Sequence, residues 1–226
     1  MANGSQITIH SGDVGTIIKG TAKTRSNGTD TLIEGATDIG GSRSSISMQA
    51  AEVLGIPAED VRPSIVDTDS VGYTDVTGGS RTTYATGFAA WKAANNLVSE
   101  LKNRVALYFD RKLEDVSFDS GVFTVKTDTV NEKPEKKISF KELAEKLDDL
   151  GGPVNSVGSV DLESAGDGFG MHIADVEIDL STGKTDVIRY TAVQDVGKAI
   201  HPSYVEGQMQ GGAAQGIGWA WNEEYY

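Results

Sequence analysis

The chain contains no cysteine. Disulfides, thiolate catalysis and cysteine-ligated zinc or iron–sulfur centres are therefore excluded within it. No apolar run approaches the ~18–20 residues that a bilayer span needs, and no charged-then-apolar leader opens the sequence. The expectation is a cytoplasmic protein with no membrane partner. Basic side chains are also scarce: 20 Lys and Arg stand against 33 Asp and Glu, a net charge of −13. That balance argues against a nucleic-acid partner, whose binding needs a basic stripe. The three histidines, His10, His172 and His201, are far apart and form no H-x-x-x-H spacing, so no metal ligand is assigned. No Ser-His-Asp pattern stands out, and no catalytic residue is assigned.

What is present is a globular composition, 38% apolar and 23% charged, over 226 residues. That length buries a real core as one large domain or two small ones. Glycine is abundant, at 27 residues, and its placement carries the argument.

Residues 1–15 read as an irregular N-terminus, or as one derived from an expression vector. Strand signals follow at 16–24 and 29–34, joined by Ser26-Asn27-Gly28, a hairpin cue because Asn and Gly tolerate positive φ. Ser44–Leu54 reads as a helix closed by Gly55, and 61–66 as a short strand. From Thr82 to Tyr108 apolar residues recur by threes and fours, which predicts one long amphipathic helix. A hairpin is expected over 116–126, then a charged loop over 128–137. Ser139 and Glu142 form a capping-box pattern for a helix running to about Leu147. Gly151-Gly152-Pro153 marks the expected domain boundary. Beyond it come a strand at 154–160, a hairpin of strands 172–180 and 185–193 turned by Ser181-Thr182-Gly183, and a final helix at 205–221. The mixture of hairpins and helices, without a βαβ rhythm, predicts an α+β fold with helices packed on mainly antiparallel sheets.

Two stretches echo each other: Gly40-Gly41-Ser42-Arg43 and Gly78-Gly79-Ser80-Arg81-Thr82. Each lies just before a predicted helix. Paired glycines turn the backbone with its amides exposed, and a helix start leaves up to four amides without internal partners. Hydroxyls and a forked guanidinium add donors. Phosphate is the usual guest of such a construction, and two copies suit two phosphates or one elongated anion. The same residues also serve as a plain helix cap and turn. Neither loop has the Gly-Lys-Ser/Thr of a Walker A sequence or a G-x-G-x-x-G spacing.

The last helix is the other anomaly. Gly207, Gly211, Gly212, Gly216 and Gly218 fall inside it, among Gln208, Gln210 and Gln215. Each interior glycine costs ~1 kcal/mol relative to alanine, so close packing against a helix or a ligand has to offset the loss.

These blocks resemble the xanthine dehydrogenase/aldehyde oxidase family. The resemblance rests on Thr37-Asp38-Ile39-Gly40-Gly41-Ser42-Arg43 with Ala50-Ala51-Glu52-Val53-Leu54-Gly55-Ile56, and on Asp67-Thr68-Asp69 with Thr77 to Thr83. It rests further on Gln194-Asp195-Val196-Gly197 with Ile200-His201-Pro202, and on Glu206-Gly207-Gln208 with Gly211 to Gly218. The blocks stand in the family's order and cover most of residues 16–225. The resemblance points to the molybdopterin-binding large subunit.

What the resemblance implies is an oxidoreductase that hydroxylates an aldehyde or N-heteroaromatic substrate with oxygen from water, with a molybdenum–molybdopterin cytosine dinucleotide as cofactor. Its partners would be the remainder of the large subunit and iron–sulfur and FAD subunits or domains. Carried over position by position, Gly78, Gly79, Ser80, Arg81 and Thr82 correspond to the loop around the pterin and its phosphates. Gly40, Gly41, Ser42 and Arg43 correspond to a second dinucleotide contact. By the same resemblance Asp195 and Gly197 correspond to part of the dinucleotide pocket, and Gly211, Gly212 and Gln215 to the helix segment that hydrogen-bonds the pterin.

The chain departs from the family at the first loop, where many members read Asp-Ile-Gly-Gln-Gly-Ser; here Gly40 is followed directly by Gly41. The family's upstream G-G-G-F-G-G block and its downstream block with the general-base glutamate are missing. The expectation is a fragment, inactive alone, with a first α+β subdomain over 16–152 and an incomplete second over 153–226. Two other readings stand beside it: a non-catalytic module for a phosphorylated small molecule, and half of a split large subunit completed by a partner chain.

Overall fold

A single helix organises most of the chain. In the computed structural model, which describes residues 4–11, 30–65, 77–126, 135–161 and 168–224, α2 runs unbroken over Thr82–Tyr108. Ala85, Ala89, Ala90, Ala93, Ala94, Leu97, Val98, Leu101 and Val105 are all buried along it. The steps of three and four put them on one stripe, and the alanines keep that stripe thin enough for a sheet to come close.

The sheet has the order β3-β2-β1-β7, built from Gly4–Ser11 (β1), Asp30–Glu34 (β2), Val61–Ile65 (β3) and Val154–Asp161 (β7). β1 is antiparallel to both neighbours, with Ile9 opposite Leu32 on one side and Ser156 on the other. β2 and β3 are parallel. The close approach of β7 to α2 is visible at Gly158, where a methyl group would run into the Ala89 carbonyl and the Ala93 amide. Beside it the Ser156 hydroxyl donates to the Ala93 carbonyl at 2.8 Å. On the open edge of β7, Asn96 and Lys92 of α2 donate to the carbonyls of Val157 and Ser159.

Helix α1, Ser42–Leu54, packs on α2 through Ile46, Ala50 and Leu54. It ends at Gly55, φ +63°, which gives the left-handed cap glycine supplies at little cost. Gly55 also lies against the backbone of Ser120 and Gly121, the turn of a second sheet. That sheet is an antiparallel meander of Val116–Asp119 (β4), Val122–Val125 (β5) and Lys136–Ser139 (β6), with Phe123, Val125 and Ile138 buried. Helix α3, Phe140–Ala144, opens with the capping box: Ser139 Oγ accepts from the Glu142 amide and Glu142 Oε2 accepts from the Ser139 amide. The bonds from Ser139, its amide first and then its hydroxyl, hold the Glu142 carboxyl below its ordinary pKa.

The chain forms two compact units, 1–165 and 166–226. The second contains the antiparallel pair Gly170–Ile178 (β8) and Thr185–Gln194 (β9), with a register shift between Asp175 and Val176, and helix α4, Pro202–Trp221. None of its described residues is buried. Phe169, Met171, Ile173, Ile188, Trp219 and Trp221 all stand exposed.

The α+β architecture, with sheets mainly antiparallel, is as expected. Several details differ, among them a third strand, β6, where the charged loop was expected to run to 137. Residues 4–11 are a strand rather than irregular, because the alternation Gln6-Ile7-Thr8-Ile9-His10 is itself a strand pattern and two neighbours pair with it. The units divide after Ala165 rather than after Gly152, because β7 joins the first sheet through β1. α4 begins three residues early, with Pro202 in the first turn, where a missing amide donor costs nothing. The strand expected at 16–24, its Asn27-Gly28 turn and Asp67-Thr68-Asp69 lie outside the described residues.

Candidate functional site: two glycine loops and a glycine-rich helix

The two echoing loops each lead into a helix. In the first, Gly40 (φ +68°) and Gly41 (φ +74°) turn the chain into α1. Ser42 is buried, and its hydroxyl points back to the Thr37 carbonyl at 3.3 Å. The Arg43 amide donates to Asp38 Oδ1 at 2.8 Å, and Arg43 Nε lies 3.6 Å from Asp38 Oδ2. The first loop thus supplies an anion from its own chain. Asp38 takes one helix-end amide and faces the guanidinium, which leaves less there for an external phosphate than the sequence suggested.

The second loop leads into α2. Arg81 stands at the N-cap of α2, and the Ala85 amide is the first to reach an intrahelical partner, the Arg81 carbonyl at 2.8 Å, so the amides of Thr82, Thr83 and Tyr84 have none within the helix. Gly79, φ +62°, has no atom of the described residues within 4 Å of the place a Cβ would take. Ser80 follows at φ +57°, a left-handed conformation that a non-glycine residue adopts at a cost of about 1 kcal/mol or more. Gly78, Gly79 and Ser80 are exposed. This end is an exposed, strained turn of small residues at a helix start.

The fold brings the two loops together. Thr37 Oγ1 donates to Thr77 Oγ1 at 3.1 Å across the entrances of both turns. Deeper in, Gln49 of α1 donates from Nε2 to the Thr83 carbonyl in the first turn of α2 at 3.0 Å. The sequence reading missed both contacts. A signal for the second was present: Gly87 is the one glycine inside α2, and an interior helix glycine asks for a packing reason.

The remaining candidates belong to the second unit. Asp195 follows β9 and accepts the Gly197 amide on Oδ1 at 2.8 Å, with Gly197 at φ +60°. The Asp195 amide in turn donates to the Phe169 carbonyl at 2.8 Å, so this turn is tied to the start of β8. Gly211, Gly212 and Gln215 are exposed on α4. At Gly207, Gly211, Gly212 and Gly216 no atom lies within 4 Å of a Cβ position. Nothing among the described residues packs into this stripe, so the close neighbour that would offset the helix-propensity loss is not supplied by them.

Residues 5–226 match the molybdopterin cofactor-binding domain family. The chain is 30% identical over 206 residues to the xanthine dehydrogenase molybdenum-binding subunit of Escherichia coli O157:H7, covering 88% of this chain and 26% of that protein. It is 29% identical over 174 residues to the carbon monoxide dehydrogenase large chain of Hydrogenophaga pseudoflava, covering 77% of this chain and 22% of that one. Among solved structures it resembles quinoline 2-oxidoreductase from Pseudomonas putida 86, with a TM-score of 0.71 and 26% identity over 95% of this chain and 26% of that chain. The chain spans about a quarter of the length of these relatives.

Proposed function

The chain belongs to the molybdopterin cofactor-binding domain family, and from that premise we propose that it supplies part of the cofactor cradle of a molybdenum hydroxylase large subunit. In this reading the group held is molybdopterin cytosine dinucleotide. The observation that carries it is the N-terminus of α2, where Gly79 and Ser80 turn the chain through left-handed backbone into a helix start whose first amides have no partner within the helix. A pyrophosphate suits that end: the amides donate, the helix dipole favours negative charge, and Arg81 adds a cation. Gly78 to Thr82 are the principal phosphate contact, and Gly40 to Arg43 the lesser one, since Asp38 already meets Arg43. Asp195, Gly197, Gly211, Gly212 and Gln215 would serve the rest of the cofactor, the glycines of α4 allowing a flat heterocycle to lie against the backbone and Gln215 donating and accepting at its edge.

When bound, the cofactor supplies the two-electron redox chemistry that adds water-derived oxygen to a carbon of an aldehyde or N-heteroaromatic substrate. The chain's own residues bind and orient it; none of them is assigned a proton-transfer role. The exposed apolar side chains of the second unit fit a surface that the remainder of the large subunit covers, with iron–sulfur and FAD partners completing electron transfer.

The test uses the large-subunit reading frame containing this segment, co-produced with its partners. Molybdenum and acid-released cytidine monophosphate are measured in the purified protein. One of each per large subunit is expected, with both falling at least several-fold in Gly79→Val and Arg81→Ala. Full cofactor content in both variants sinks the reading.

A further inference from the structure

Gln49 spans the gap between the two loop-bearing helices. From α1 its Nε2 reaches the Thr83 carbonyl at 3.0 Å, a carbonyl that also closes the first turn of α2 by accepting the Gly87 amide. The side chain lies flat over Gly87, so that a methyl group added there would overlap the Gln49 amide. Gly87 is buried and sits at a helical position with no positive φ. Backbone strain therefore gives no reason for glycine at this position; the space taken by Gln49 does. With Thr37 to Thr77 at the mouth, the glutamine makes the second of two bonds that join the loop-bearing segments among the described residues, and it is the one that reaches into the first turn of α2.

We propose that Gln49 is a positioning residue for the anion-binding turn of α2, acting through the Thr83 carbonyl, and that Gly87 is glycine to leave room for the Gln49 amide. The inference rests on the cofactor reading above and deepens it: the phosphate-binding amides are held in place from α1, by a side chain that does not touch the ligand. A fixed donor array binds an anion without first losing the entropy of ordering itself.

The two residues can be tested separately because they fail in opposite ways. Gln49→Ala removes the bond. Gly87→Ala leaves the glutamine in the chain but pushes its flexible end off Thr83, while putting the better helix former at 87. Binding of inorganic pyrophosphate to the 226-residue chain is followed by phosphorus NMR line broadening, alongside thermal melting and amide hydrogen exchange. Both variants are expected to lose ~3- to 10-fold in pyrophosphate affinity, the range of one net hydrogen bond. The double variant should lose no more than either single. Gly87→Ala should melt no lower than wild type, and Gln49→Ala should speed exchange at residues 84–87 but not at 97–101.

Wild-type affinity in either single variant overturns the positioning role, and so do additive losses in the double variant or an affinity loss in Gly87→Ala that follows a lowered melting temperature. A wild-type chain that leaves the pyrophosphate line sharp overturns the cofactor reading instead; the exchange experiment then still decides whether Gln49 holds the turn.

Discussion

Asp38 meets Arg43 twice, accepting its backbone amide on Oδ1 at 2.8 Å and facing its Nε from Oδ2 at 3.6 Å. A carboxylate so placed competes with any phosphate for the same helix end. Asp38→Asn keeps an oxygen for the amide and removes the charge. Pyrophosphate binding by the 226-residue chain is expected to tighten about 3-fold or more, read by phosphorus NMR. Stability should change little, by under about 1 kcal/mol, because the pair is more than a third exposed. Weaker binding in this variant would show that Asp38 shapes the loop for the ligand rather than competing with it.

The approach of β7 to α2 sets a second expectation. At Gly158 the atoms in the way are backbone, the Ala89 carbonyl and the Ala93 amide, and cannot rotate aside. Gly158→Ala should cost about 1–3 kcal/mol, the range of an overpacked core, measured by urea denaturation. The contrast with Gly87→Ala, where the obstacle is the end of a side chain, is the informative part: the same substitution destabilises at 158 and is neutral or stabilising at 87.

Leu97 is fully buried at the middle of α2. Leu97→Ala should lower unfolding free energy by about 2–5 kcal/mol, the transfer term plus the cavity left behind. Its effect should appear in hydrogen exchange across 82–108 and leave the β8–β9 hairpin, in the other unit, unchanged.

The β8–β9 turn carries a pH signature. Ser181 donates to Asp179 Oδ1 from its hydroxyl at 2.6 Å and from its amide at 2.8 Å, and these bonds, with Thr182, lower the Asp179 pKa to about 2. A depressed carboxylate pKa means that the turn's stabilisation is fully present above the ordinary value of 3.8 and is lost as pH falls toward 2. Carboxyl NMR titration should find Asp179 near 2, and Ser181→Ala should move it up toward 3.8. An unshifted Asp179 in the wild type contradicts the hydrogen-bond assignment.

The elements legible in the sequence were those whose cause is local. The α2 stripe from Ala85 to Val105, the Ser139–Glu142 capping box and the Gly55 helix stop each depend on residues a few positions apart, and the structure places them at the expected residues. The glycine loops were legible for the same reason, as turns before helices. What was not legible is what fills them. Asp38 stands five residues before Arg43, and its role appears only once the turn at Gly40 and Gly41 brings its carboxylate back to that amide. Gln49 and Thr83 are 34 residues apart, and no local pattern joins them. The boundary at Gly151-Gly152-Pro153 went astray likewise: a glycine-proline turn marks a change of direction, while unit membership depends on strand pairing, and β7 pairs with β1 at the far end of the sequence.

By itself, then, the sequence determined the helices, most of the strands and the two phosphate-suited turns, because periodicity, caps and glycine conformations are short-range. The tertiary structure decided that the first turn is met by its own chain's Asp38 and that Gln49 of α1 reaches the first turn of α2. Those outcomes depend on side chains meeting across α1 and α2, and such meetings are set by the packing of the two helices on the sheet rather than by the residues that flank each turn.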